Sequence, residues 1–170
     1  DPITTEVETI LGTVKVPGEG TDGAIAGPGF LLNSPTELAV DRFGNIFVAD
    51  QDNFRLLRID AESKRVHVVA GGGPVEGVPP DGSPVTSTKF VVLSLDIDDS
   101  GNLFLAASPI GAYAPRVIRV LSDGRTQTVH PTGSVVACGA DGDLFIGNDT
   151  GLGFFVEHTG VDGSDRRTIA

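Results

Sequence analysis

The stretch that decides the fold is residues 36–59, TELAVDRFGNIFVADQDNFRLLRI. Apolar and polar residues alternate through LAV, break at Phe43-Gly44-Asn45, and alternate again through IFVAD. They break once more at Gln51–Asn53 and run on as RLLRI. Alternation of period two belongs to strands with one face against a core. A Gly-Asn break between two such runs belongs to a tight turn, because glycine takes positive φ at low steric cost. Three strands therefore follow one another here with only short connections.

The pattern returns twice. LAVDRFGNIFVAD (38–50) is matched by LDIDDSGNLFLAA (95–107) and VACGADGDLFIGN (136–148), with turn glycines Gly44, Gly101 and Gly142. A third strand follows in each copy: RLLRID (55–60), RVIRVL (116–121) and GFFVEH (153–158). A fourth comes after a polar turn: RVHVVA (65–70), RTQTVH (125–130) and RRTIA (166–170). No stretch of ten residues carries helical periodicity. Four antiparallel strands per unit, recurring in register, predict an all-β fold of three propeller blades. A sandwich would leave the recurring register unexplained. The expected blades span 34–72, 91–130 and 134–170. Gly/Pro-rich segments 13–33 and 73–90 cross between blades, and residues 5–12 form a stray outer strand resembling VHVVAG (66–71).

Composition narrows the function. The 170 residues suit one domain, and 23 Gly with 11 Pro suit many tight turns. A net charge of −11, from 12 basic and 23 acidic residues, argues against nucleic acid or anionic lipid as partner. No apolar run is long enough to span a membrane. Cys138 is the lone cysteine and lies in the apolar run SVVACGA, which predicts a buried, inert thiol. The chain contains no Met and begins at Asp1, so a processed form or an excised piece of a longer protein is expected.

The order of motifs resembles the NHL repeat. The matching residues are Asp81-Gly82-Ser83-Pro84, Ser34-Pro35-Thr36, Ala39-Val40-Asp41, Gly44-Asn45, Val48-Ala49-Asp50, Asn53 and Arg55. Blade 2 keeps Asp98, Gly101-Asn102 and Arg116, but has Ala107 where Asp50 stands. Blade 3 departs furthest, and its VDGSDRRTI (161–169) is similar to the end of a YWTD blade. The resemblance implies six-bladed rings, of which three blades are half. Two open faces would then be covered by further blades, by a second copy closing a ring, or by a larger assembly.

Few residues point to chemistry. GGGP (71–74) and GEGTDG (18–23) lack the Lys-Ser/Thr and the helix that a phosphate loop needs. Asp22 and Asp81, at matched places in the crossing loops, are expected to make side-chain–backbone bonds. His67 and His130 are expected at similar places on outer strands, too far apart to share a metal with His158. Relatives in the wider superfamily, the gluconolactonase-like hydrolases, hold a divalent ion in the channel lined by first strands. Glu37 and Asp96 are acidic departures on those strands and the candidate ligands for Ca²⁺, the one cofactor considered. Asp50, Asn53 and Arg55 are expected to be scaffold, tying turns to strands. Asn148-Asp149-Thr150 is a glycosylation sequon, expected on an exposed hairpin. Tyr113, between Pro109 and Pro115 in SPIGAYAPR (108–116), marks a contact loop.

These features favour a non-enzymatic interaction module outside the cytosol, extracellular, periplasmic or at the cell surface. Its expected partner is a protein, peptide or glycan, and it is expected to self-associate. The alternatives are a metal-dependent hydrolase or lyase of the six-bladed superfamily, or a structural subunit of an extracellular assembly.

Overall fold

A computed structural model of the chain describes residues 7–13, 15–139, 142–149, 154–164 and 167–169. Blade 1 is built from β1 (Pro35–Val40), β2 (Ile46–Asp50), β3 (Arg55–Ile59) and β4 (Val66–Gly71). The crossing segment holds a short parallel pair, β5 (Val75–Glu76) and β6 (Thr88–Lys89). Blade 2 is β7 (Val91–Ile97), β8 (Leu103–Ser108), β9 (Arg116–Val120) and β10 (Thr126–His130). Blade 3 is β11 (Val135–Cys138), β12 (Asp143–Asp149), β13 (Phe154–Gly160) and β14 (Arg167–Thr168). Each blade is one four-stranded antiparallel sheet with its strands side by side in chain order, and the inner strands β1, β7 and β11 lie next to one another.

The turn chemistry explains the shared register. Gly44, Gly101 and Gly142 all take positive φ, at 81°, 85° and 83°. In blade 1 the Asp41 carboxylate accepts the backbone N–H groups of Phe43 and Asn45 and the Asn45 side-chain amide. Asp98 does the same for Ser100 and Asn102 in blade 2. Each carboxylate thus closes its hairpin with three hydrogen bonds, supplying acceptors that the turn backbone lacks. Blade 3 has Gly139 and Asp143 at these two positions, which is why its motif looks degenerate.

Packing occurs between blades. Phe47, Ala49 and Leu56 of blade 1 pack with Leu95, Leu103 and Leu105 of blade 2, and Val85 and Phe90 of the crossing segment fill the space between. Phe104 and Val117 of blade 2 meet Val136, Leu144 and Ile146 of blade 3. The back of blade 1, at Leu57, Ile59 and Val66, is covered by Phe30 and its neighbours in segment 13–33.

Both crossing segments also close the outer edge of the blade they precede. Gly23 N–H donates to the Val66 carbonyl and Val66 N–H to the Ala24 carbonyl; Gly82, Thr126 and Ser83 repeat the pair in blade 2. Asp22 accepts the Val68 N–H at 2.8 Å, and Asp81 accepts the Thr128 N–H at 2.8 Å. These bonds satisfy edge groups that would otherwise template pairing with another chain.

The stray strand is a correction. Residues 7–12 form no strand; residues 5 and 6 lie outside the described residues. A strand needs a partner ladder, and the three strands on which an outer strand would lie are not among the described residues. Gly12 still takes positive φ, like Gly71, and Leu11 packs against the back of blade 1.

Candidate functional site

Asp50, Asn53 and Arg55 form one buried network. Asp50 accepts from Arg55 Nε at 2.8 Å, from Asn53 Nδ2 at 2.8 Å and from the Asn33 N–H at 2.7 Å. Arg55 Nη1 donates to the Gly20 carbonyl at 3.0 Å and to Glu19 at 3.2 Å, while Asn53 also donates to the Gly18 carbonyl. The network pins loop 18–20 onto blade 1, with the Asp50–Arg55 pair inside the protein and Glu19 at its exposed rim. In blade 2 Ala107 replaces the carboxylate, and Arg116 turns instead to the carbonyls of Pro79 and Val78.

Glu37 and Asp96 differ in setting. Glu37 is exposed on β1. Asp96 accepts the Cys138 N–H at 2.7 Å and the Ile97 N–H at 2.8 Å, and nearby Ser94 Oγ accepts the Val136 N–H. Asp96 therefore joins the inner strands of blades 2 and 3. Among the described residues no group of three His, Cys, Asp or Glu is arranged to hold a metal ion. The Cys138 thiol is pushed up to about 12, chiefly by burial and then by the Asp96 carboxylate, so it stays protonated at neutral pH.

The two ends of the arc expose apolar faces. Phe47, Phe104 and Phe145 occupy one repeat position, each pairing with the inner strand of its blade (Ala39, Asp96 and Ala137). The first two lie under the following blade at 8% and 0% exposure, while Phe145 is 36% exposed. Val156, which matches buried Leu56 and Val117, is exposed too. At the other end Leu38, Leu95 and Val136 share a position, with exposures of 68%, 6% and 4%. Each end thus presents the surface that its neighbours bury.

A different feature lies at the junction of blades 2 and 3. The crossing between them is only Pro131–Ser134, whereas the earlier crossing fills its junction with Val85 and Phe90. The short crossing leaves an open cavity of about 330 Å³, walled by Tyr113, Pro115, Pro131, Thr132, Ser134 and Asn148. The hairpin carrying Tyr113 is braced by Ser108, whose hydroxyl donates to the Ala112 carbonyl and accepts the Ala114 N–H. Pro109 belongs to the same hairpin but does not line the cavity.

Behind the cavity wall sits a polar group that the sequence did not announce. His130 is buried, unlike His67, which corrects their expected equivalence. His130 Nδ1 lies 2.6 Å from the Thr132 carbonyl and 3.3 Å from the Thr132 backbone nitrogen. Nε2 lies 2.9 Å from Glu157 Oε2, at ion-pair distance though off the line of a hydrogen bond. Asn148 Nδ2 donates to the same Glu157 oxygen at 2.9 Å. Asn148 is therefore a buried strand residue with its amide engaged, and the expectation of an exposed glycan acceptor does not hold. The available signal was the repeat itself: charge appears where the other blades are apolar.

No family model matches the sequence, and no curated protein matches it. Among solved structures, a protein of unknown function from Bacteroides thetaiotaomicron superposes with a TM-score of 0.61 at 13% identity, over 96% of this chain and 37% of that one. The PQQ-bound aldose sugar dehydrogenase from Streptomyces coelicolor gives 0.54 at 22% identity, over 87% of this chain and 51% of that one. The likeness is one of fold, a propeller-like architecture of which this chain spans about half or less.

Proposed function

We propose that the chain is a non-enzymatic, NHL-type propeller segment acting as an interaction module outside the cytosol, and that its end faces associate with a second copy. The exposure step at Phe145 supports this reading: the same side chain is covered in blades 1 and 2 by the blade that follows. The matching cover is the inner-strand part of blade 1, where Leu38 and Val40 stand exposed beside the part of its back that Phe30 covers. Apolar faces of this kind are seldom left in water. Contact between blade 3 of one copy and blade 1 of the next is head-to-tail, and such contacts close into a ring or continue as a chain of arcs.

Light scattering on the purified 170-residue chain tests the proposal. The expected mass is a multiple of 17.6 kDa. A cysteine pair at positions 38 and 135, in a Cys138→Ser background, is expected to cross-link between copies. A folded monomer at micromolar concentration overturns the association.

A further inference from the structure

The junction of blades 2 and 3 breaks the repeat at two positions beside Asn148. Asn148 itself stands where blade 1 has buried Asp50 and blade 2 has Ala107. His130 stands where blade 1 has Ala70, and Glu157 where blades 1 and 2 have Leu57 and Ile118. Ala70, Leu57 and Ile118 are all fully buried. Replacing apolar side chains by a buried histidine and a part-buried carboxylate sacrifices packing and requires the enclosed polar atoms to find partners. Breaks of local rules concentrated in one place are typical of working sites.

The arrangement has a direction. Glu157, an acceptor when ionised, fixes the Asn148 amide with its Nδ2 inward. The amide oxygen is thereby turned toward the crossing, where a β-carbon added at Gly133 would lie 3.8 Å from it. His130 holds the crossing itself through the Thr132 carbonyl. The cavity thus offers an amide acceptor from Asn148, hydroxyls from Thr132 and Ser134, and the aromatic face of exposed Tyr113 between proline rings. Among the described residues no charged side chain lines it. Its size lies within the ordinary range for small-ligand sites, at the low end.

We propose that this cavity binds a neutral saccharide unit. A pyranose ring carries hydroxyls that both donate and accept, matching the hydroxyl and amide groups among the lining residues. Its C–H face suits the exposed ring of Tyr113. Phosphorylated, acidic and amino ligands would meet no counter-charge among these lining residues. The proposal names the ligand of the interaction module, and its test reads binding alone, so its failure leaves the association of end faces standing.

The experiment is saturation-transfer NMR and calorimetry on the full chain with cellotriose, maltotriose and tri-N-acetylchitotriose, and with a trigalacturonate as the charged control. At least one neutral trisaccharide is expected to bind, with affinity falling tenfold or more in Tyr113→Ala and about threefold or less in Tyr113→Phe. Asn148→Ala is expected to weaken binding as well. Because Tyr113 is exposed, its variants keep the fold, which circular dichroism confirms. No neutral saccharide binding at about 10 mM overturns the proposal. Equal binding of the charged control, or binding unchanged in Tyr113→Ala, also overturns it. So does a proline-rich peptide that occupies the cavity when no saccharide does.

Discussion

The backbone N–H of Cys138 donates to the Asp96 carboxylate at 2.7 Å, so the inner strand of blade 2 holds the inner strand of blade 3. Asp96→Ala leaves that N–H facing a gap and is expected to lower stability by about 1–3 kcal/mol. Asp96→Asn keeps an acceptor oxygen and is expected to lose less. Urea unfolding followed by circular dichroism measures both; equal stability in Asp96→Ala and wild type refutes the tie.

Cys138 gives a pH signature with a definite sign. Its folded value, about 12, lies above the ordinary 9.0. Between these values the unfolded chain has released the thiol proton and the folded chain has kept it, so stability falls as pH rises through that window. The contribution is fully present below pH 9. Thermal melts from pH 8 upward are expected to decline less steeply in Cys138→Ala than in wild type. Native Cys138 is also expected to react with a thiol reagent much more slowly at pH 8 than in the urea-unfolded chain. Comparable labelling rates would contradict this.

The Asp50–Arg55 pair is buried on both sides. Removing Asp50 leaves buried Arg55 with only the exposed Glu19 carboxylate, and Asp50→Ala is expected to cost about 3–5 kcal/mol. In an Arg55→Leu background the same substitution is expected to cost far less, because no charge is left behind. A double-mutant cycle in urea reads the difference, and simple additivity would mean the two side chains do not act together.

Phe104 and Phe145 hold one repeat position in two settings. Phe104→Ala empties a fully buried site and is expected to cost about 3–5 kcal/mol. Phe145→Ser is expected to leave the stability of the folded arc nearly unchanged while lowering the mass seen by light scattering. Association between two copies that each carry −11 is expected to strengthen as salt screens their repulsion. Association that weakens with salt would instead indicate ion pairs at the contact.

What could be read from the sequence is what repeats. The turn glycines and the strand order of each blade follow from local alternation and turn chemistry, which neighbouring residues determine among themselves. Asp22 and Asp81 were legible too, because they stand at matched places. The cavity at blades 2 and 3 was not legible. Tyr113 and Asn148 are 35 positions apart, and their meeting depends on the shortness of the crossing at Pro131–Ser134, which no periodicity encodes. Residues 7–12 failed differently: their pattern is that of an outer strand, but a pattern specifies a face and not the partner that makes it a ladder.

Asp22 and Asp81 reach forward along the chain by 46 and 47 residues to the strands they cover. During synthesis the cover leaves the ribosome before the edge it protects. Loop 20–31 is already available when β4 emerges, and loop 79–90 when β10 does. A newly made outer strand therefore finds its own chain's cap at once, before the edge of another nascent chain competes for it. The order of segments in the gene thus acts against misassembly during translation, beyond any contribution to the stability of the finished fold.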